Sequence, residues 1–521
     1  MAEKVSHERK ITGAASIVGA ATVLSRILGY VRDAAVAYVF GAGLYSDAFF
    51  MAFRIANLLR RLVGEGALTS SFIPIFTEEM NQRSKESIRS LVSSVFTLLT
   101  IALIVLTALG MIFSKEIVWV MSPGFASDPE KFRITVNLTM FMFPYMVFIG
   151  LMAIAMGVLN SYRHFTAPAL SPVFFNIVMI VCLFALVPFL ATPVYALAIG
   201  VLFGGFAQFA LQLPYLKRYG MVPRPLFHID PAIKKILVLM GPAAFGVGVY
   251  QLNIFVTLWF SSQLAQGSVS YLYYAGRLME LPLGIFGVAV STAVLPSLSE
   301  HAAKNEWDEF RGSLSFAVRI VNFVTIPATV GLLVLSYPIV DVLFRRGEFG
   351  DAALNGTAVA LLYYAVGLVP VSISRIITSV FYSLKDTATP VWVALVSFVF
   401  NVIFCFALIG PLGHGGLALA TSLSSIINVA FLFIVLRKKY GRFGGRFILS
   451  SSIRSTAASI IMGGVIYLIM FRSGFAAHSV AMRTMIIGGC LTAGFVTYVI
   501  AAKFMRVQEI TFLKGILRKG G

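Results

Sequence analysis

Eight arginines lie inside stretches that are otherwise apolar enough to cross a bilayer: Arg26, Arg32, Arg54, Arg60, Arg61, Arg277, Arg319 and Arg375. No lysine shares that placement. One arginine at the centre of a spanning helix costs roughly 2.5–3.5 kcal/mol on insertion scales, so a cluster of them calls for a wet cavity or an anionic partner. The guanidinium is a planar fork that grips phosphate oxygens bidentately and keeps its proton at any relevant pH. That chemistry suits an anionic cargo, a phosphate ester above all, better than a proton relay.

The helices that must hold these groups can be read from their spacing. In LSRILGYVRD, Gly29 stands between Arg26 and Arg32 and eases a bend or a close approach. Arg26 and Asp33, seven apart, share a face, whereas Arg26 and Arg32 reach one cavity only with such a bend or through long side chains. On the second helix Asp47, Arg54 and Arg61 recur every seven residues, Glu65 follows one turn later, and the resulting charged stripe cannot face lipid. Arg277, with Glu280 three residues on, takes the corresponding place in the second half of the chain. The alternative is that these arginines only form structural ion pairs with Asp33, Asp47, Glu65 and Glu280. Arginines outnumber acids in these stretches, and unpaired charge there is expensive, which favours a ligand. Arg319 is expected to snorkel to the membrane edge and Arg375 to pack between helices, without a direct ligand role.

Composition sets the frame. Over 521 residues, 58% are hydrophobic and only 12% charged, with a mean hydropathy of +0.88; soluble globules carry about twice that charge. The chain reads as an all-α polytopic membrane protein. Taking about 20 apolar residues per span gives roughly fourteen helices, near 12–40, 46–79, 88–113, 133–160, 168–190, 194–217, 234–263, 268–297, 315–344, 355–384, 388–410, 415–437, 451–471 and 480–504. Lys4, Arg9 and Lys10 before the first apolar run imitate a secretory signal, but the helix continues through Arg26 and is expected to be retained. About 26 basic residues fall on the side of the termini and about seven opposite (Lys115, Lys131, Arg133, Arg345, Arg346, Arg472, Arg483), which predicts cytoplasmic N- and C-termini.

The net charge of +19 does not imply nucleic acid, because the basic residues sit in short loops and no basic soluble domain carries them. Cys182, Cys405 and Cys490 lie far apart in apolar runs, so neither a disulfide nor a metal site is expected. No Walker loop, HExxH, GxSxG or poised carboxylate pair is present, which argues against an enzyme, and no cofactor is expected. The six histidines fall in loops or at helix ends, as solvated surface residues would.

The chain repeats itself at a separation of about 222 residues, the size of six helices with their loops. Arg54 before SSFIPIFTEE aligns with Arg277 before STAVLPSLSEH, Pro74 with Pro296 and Glu78 with Glu300. EIVWV matches PIVDV, NSYRHFTAP matches YSLKDTATP, and Lys217-Arg218-Tyr219-Gly220 answers Lys438-Lys439-Tyr440-Gly441. Two pseudo-symmetric six-helix lobes follow, 1–225 and 226–446, flanking a cavity, with a C-terminal helix pair and tail at 447–521. That added pair needs its own role, and a lipid-facing groove is one candidate.

The runs LSRILGYVRDAAVAYVFGAG, SDAFFMAFRIANLLRRLVGEGALTSSFIPIF and YYAGRLMELPLGIFGVAV are long and specific, and with them essentially the whole chain resembles the MurJ (MviN) family of bacterial lipid II flippases. The resemblance implies the multidrug/oligosaccharidyl-lipid/polysaccharide exporter fold, and a role in peptidoglycan and cell wall biogenesis at the inner membrane. It implies lipid II as cargo and cell-wall synthesis proteins as candidate partners. Carried over by motif, the substrate-binding arginines fall on Arg26, Arg32, Arg60 and Arg277, with Asp33 beside them and Arg54 and Arg61 in the same helix-two motif. Ala37 and Ser270 resemble the family's outer-gate contact, and Glu65 and Glu280 match further charged positions. Gly276 stands where some members carry an aspartate. A sodium site known in some members would fall at Thr257, Asn401 and Thr421, but both carboxylates are missing and Cys405 replaces one of them, so sodium is not expected there.

The expected function is therefore transfer of undecaprenyl-pyrophosphate-linked precursor between leaflets by alternating access. A flippase for another polyprenyl-linked glycan is the nearest alternative. A drug exporter is disfavoured, since cationic drugs would be repelled, and a polyprenyl-pyrophosphate-processing enzyme is more remote.

Overall fold

The computed structural model describes residues 2–60, 68–228, 230–284 and 288–510. Among them every regular element is helical, and the helices fall into two compact units, Met1–Gly267 and Ser268–Gly521. The first holds α1 (Ala2–Phe40), α2 (Leu44–Arg60), α3 (Thr69–Gln82), α4 (Lys85–Ile112), α5 (Ser114–Met121), α6 (Pro129–Met142), α7 (Tyr145–Ser161), α8 (Thr166–Leu186), α9 (Tyr195–Ala210), α10 (Leu213–Tyr219) and α11 (Pro231–Ser262). The second holds α12 (Ser268–Pro282), α13 (Val288–Ala303), α14 (Trp307–Phe344), α15 (Asp351–Ala365), α16 (Leu368–Ser383), α17 (Ala388–Tyr440), α18 (Gly445–Arg472) and α19 (Val480–Phe504).

Each of the fourteen expected stretches is occupied by helix, several of them by a broken pair. Among the described residues eight spans are long and apolar enough to cross a membrane, and the pair α15 and α16, bent by 46°, makes a ninth. The two stretches expected at 388–410 and 415–437 run together as α17, which kinks at Gly413, where φ is 55° and ψ −131°. Only glycine visits that backbone region readily.

Local chemistry fixes the ends. Ser84 caps α4 by accepting the Ser87 N–H, Asp128 caps α6 by accepting that of Lys131, and Asp230 caps α11 by accepting that of Ala232. Pro129 and Pro231 take the first helical position, where a missing N–H costs nothing.

The internal repeat is visible in each unit's own geometry. Helix α7 ends at Ser161 and α8 begins at Thr166, and their counterparts α16 and α17, ending at Ser383 and beginning at Ala388, keep one separation. Arg163 and Lys385, aligned by sequence, are both non-glycine residues with positive φ, at 58° and 59°. Gly220 and Gly441 close the last helix of each copy, also with positive φ.

The cores repeat as well. In the first unit Phe72, Phe76, Leu91, Val92, Ile154, Val158 and Met221 form one buried cluster. In the second, Leu298, Phe310, Leu314, Ile376, Val380, Phe381 and Phe443 form its equivalent. Ala232, Ile233 and Ile236 of α11 complete the first cluster, so the helix that opens the second sequence copy packs in the first unit. Outward faces of α4, α8, α17, α18 and α19 expose Ile104, Val181, Ile403, Ile460 and Phe495 among other large apolar side chains, as lipid contact requires. The chain is a multi-pass membrane protein.

Candidate substrate-binding site

On α1, Arg26 is exposed whereas Arg32 and Asp33 are buried. The face shared by Arg26 and Asp33 does not pair them: Asp33 Oδ1 accepts from its chain neighbour, from Arg32 Nε at 3.0 Å and Nη2 at 2.7 Å. The long guanidinium stem folds back along the helix, which a seven-residue spacing argument ignores. Arg32 Nη1 also donates to Asn176 Oδ1 of α8 at 3.0 Å, and the guanidinium carbon lies 5.9 Å from the Phe175 ring centre. Asn176 in turn donates to the Ser25 carbonyl at 3.2 Å, so α8 holds α1 at this level.

The helix-two stripe is only partly as expected. Asp47, 1% exposed, accepts from Lys131 Nζ at 2.8 Å and from the Gly267 N–H at 2.7 Å. Lys131, read from sequence as a loop residue on the far side, is instead buried in the first turn of α6, with its ammonium 4.1 Å from the Phe125 ring centre. The Asp128 cap pulls the helix start back over Lys131, and buried Asp47 supplies its counter-charge. Arg54 is half-buried. Arg61 and Glu65 lie outside the described residues, as does the side chain of Arg60.

In the second unit Arg277 is half-buried on α12 and its Nη1 donates to Glu280 Oε2 at 2.8 Å, the acid being largely exposed. Among the described residues nothing comes within 4 Å of where a Cβ on Gly276 beside it would stand. Ala37 on α1 and Ser270 in the first turn of α12 are fully buried small residues. Arg319 does not simply snorkel: it pairs at 3.0 Å with buried Glu509, and Ser451 donates to the other oxygen of that carboxylate. Arg375 is exposed on α16 rather than packed between helices.

The hydroxyl of Thr257 donates to Asn253 O and that of Thr421 to Leu417 O, each within its own helix, while the Cys405 thiol faces Asn401 Oδ1 at 4.0 Å. Two histidines depart from the expected solvated surface. His414 is half-buried and bonded to Gly356 O at 2.9 Å, and half-buried His164 packs on Tyr215, where burial and then the charge of Arg218 push its imidazole below the usual value.

Sequence reasoning also missed three ion-pair clusters. Asp341, near the end of α14, is buried between Arg345 and Arg483, tying α19 to α14. Glu509, past the end of α19, pairs with Arg319 of α14 and accepts from Ser451 of α18. In the first unit, Arg83 bridges Glu79 and Asp230, and Lys235 adds to Glu79, joining α3 to α11. Only the Asp-Pro pair at 230–231, a helix-start signal, marked any of these in the sequence.

Two helical units that repeat one order of elements, with outward faces made for lipid, define a polytopic membrane protein. The fold resembles that of a solved inward-facing multidrug resistance MATE family transporter of the MOP superfamily, which matches with a TM-score of 0.66 at 15% identity, over 80% of this chain and 94% of its own. A solved lipid II flippase MurJ in an inward closed conformation matches with a TM-score of 0.78 at 29% identity, over 96% of this chain and 99% of its own. The family model described as lipid II flippase MurJ matches residues 36–486. Among curated relatives, the lipid II flippase MurJ of Burkholderia cenocepacia is 38% identical over 425 residues, 80% of this chain and 82% of that one. The probable lipid II flippase MurJ of Vibrio cholerae is 37% identical over 438 residues, 82% and 83% of the two chains. The chain belongs to the MurJ family.

Proposed function

We propose that this protein is a lipid II flippase, a transporter and not an enzyme, carrying the polyprenyl-pyrophosphate-linked peptidoglycan precursor from the cytoplasmic to the outer leaflet of the bacterial inner membrane. The observation that carries the reading is the match to a solved lipid II flippase along 96% of this chain. The embedded arginines supply a chemical reason, since a diphosphate is the kind of ligand that rewards buried guanidinium groups.

In this scheme the chain crosses the membrane fourteen times with both termini cytoplasmic, and the repeats at 1–225 and 226–446 rock to expose the cargo to each side in turn. Arg26, Arg32, Arg54, Arg60, Arg61 and Arg277 share the pyrophosphate charge, with Asp33 orienting Arg32. Ala37 and Ser270 act at the outer gate, with Glu65 and Glu280 as charged gate positions. The pair α18 and α19 guides the isoprenoid tail. An inward voltage, worth about 2.3 kcal/mol per charge at 100 mV, helps return the empty cationic site to its inward-facing state.

The test is rescue of a cell depleted of its lipid II flippase, paired with a leaflet-resolved assay of labelled precursor in vesicles. Wild type rescues, Arg277→Ala does not despite normal membrane abundance, nor does Arg32→Ala made together with Asp33→Asn so that no buried acid is stranded, and exposed Arg375→Ala is milder. Failure of well-expressed wild type to rescue would shift the cargo to another polyprenyl-linked glycan. Equal activity of all three variants would remove the arginine assignment.

A further inference from the structure

At Ile112 the long span α4 ends and the chain turns through Phe113 into the eight-residue α5, then through a short 3-10 turn, Pro123–Ser127, into α6. Here lies a cavity of about 360 Å³, lined by Lys115, Glu116, Trp119, Ala126, Pro129 and Phe132. That is the small end of the range for small-molecule sites. Lys115 and Glu116 bring opposite charges to one hollow, and among the described residues neither side chain has a hydrogen-bond or ion-pair partner.

The surroundings fix the environment. Ile112, Phe113, Trp119 and Val120 are all at least half exposed around α5. Apolar side chains with a tryptophan at the end of a span mark the boundary between hydrocarbon and headgroups. A cation and an anion on the same small hollow, with aromatic walls, complement a ligand that is itself a zwitterion on a short apolar stem.

We propose that this hollow binds the phosphoethanolamine headgroup of a membrane lipid. Lys115 takes the phosphate, Glu116 the primary ammonium, and the rings of Trp119 and Phe132 cover the methylene and glycerol carbons. A primary ammonium brings three N–H donors to the carboxylate, which a trimethylated headgroup lacks. A phosphoglycerol headgroup would leave Glu116 without a cation. At the equivalent stretch of the second unit α14 runs unbroken from Trp307 to Phe344, so the repeat does not duplicate this hollow there and one lipid per chain is expected.

The experiment is native mass spectrometry of the full-length protein in micelles doped equally with phosphatidylethanolamine, phosphatidylcholine and phosphatidylglycerol. One phosphatidylethanolamine per chain is retained about tenfold over the other two, a preference of about 1.4 kcal/mol. Lys115→Gln and Glu116→Gln each erase that preference, while Lys503→Gln leaves it unchanged. Both variants change exposed side chains that hold no other group, and thermal unfolding in the same micelles checks that they fold. Equal retention of the three lipids, or an undiminished preference in both variants, overturns the proposal. So does displacement by tail-free glycerophosphoethanolamine at the lipid's own concentration, which would make this a site for a soluble phosphoester. None of these readouts depends on flipping.

Discussion

Asn176 on α8 joins two groups of α1 at once, accepting from Arg32 Nη1 at 3.0 Å while donating to the Ser25 carbonyl at 3.2 Å. The amide therefore sets both the aim of the guanidinium and the packing of the helix that carries it. Asn176→Ala removes a bond to a charged group, worth about 1.5–3 kcal/mol, and leaves Arg32 to turn wholly toward Asp33. Flipping in vesicles should fall about tenfold. A double-mutant cycle with Arg32→Ala should show the two losses overlapping, and fully additive losses would separate Asn176 from the arginine's role.

Lys131 and Asp47 form a pair with side chains only 7% and 1% exposed. Breaking a buried pair from one side strands the other charge and costs about 3–5 kcal/mol. Lys131→Met should accordingly lower the unfolding temperature of the purified protein sharply. Adding Asp47→Asn, which keeps an acceptor for the Gly267 N–H, should recover part of the loss. Thermal unfolding in one detergent, single against double variant, decides it.

The legible and illegible parts of this molecule divide along physical lines. Hydropathy marked the helical stretches except the short α5, which falls between two expected spans, and the aligned motifs NSYRHFTAP and YSLKDTATP mark a junction that the structure places in register, α7 ending at Ser161 and α16 at Ser383. Periodicity could not see the ion pairs, because Lys131 with Asp47 and Arg483 with Asp341 join residues 84 and 142 positions apart. Nor could it anticipate that α11 would pack on α3, since the repeat fixes which helix is equivalent to which and not which neighbour it meets. Of the candidate site, the residue types were readable and their partners were not: Asp33 belongs to Arg32, and Arg319 to Glu509.

Asp230 and Arg83 predict a specific response to acid. Burial alone would raise the Asp230 carboxyl, but the hydrogen bond from Arg83, the Ala232 N–H and the charges of Arg83 and His228 outweigh it and hold the group below its ordinary value of 3.8. The hydrogen bond with Asp230 leads the causes that raise the Arg83 guanidinium. A depressed carboxylate contributes its stability above the unfolded value and loses it as pH falls through the folded one. The α3 to α11 junction should thus be unchanged from pH 8 to about 4.5 and loosen below about 3.8. Hydrogen exchange at Ala232 and Ile233 tracks it, and Asp230→Asn should show the loosened exchange already at neutral pH.

The kink in α17 makes the sharpest demand on residue type. Gly416 sits so close past the bend that a Cβ would overlap the Leu408 carbonyl, which is backbone and cannot swing aside, whereas a Cβ on Gly410 would meet nothing within 4 Å. Gly413, at positive φ, adds a conformational demand on top of the steric one. Strain of this kind costs of order 1–3 kcal/mol at one residue. Gly416→Ala should therefore reduce folded protein in the membrane severely, Gly413→Ala measurably, and Gly410→Ala not at all or with a slight gain from the better helix former. Fluorescence-detected size exclusion of tagged variants ranks the three. An order in which Gly410→Ala is the worst would mean that the bend is set by something other than the contact of Gly416 with Leu408.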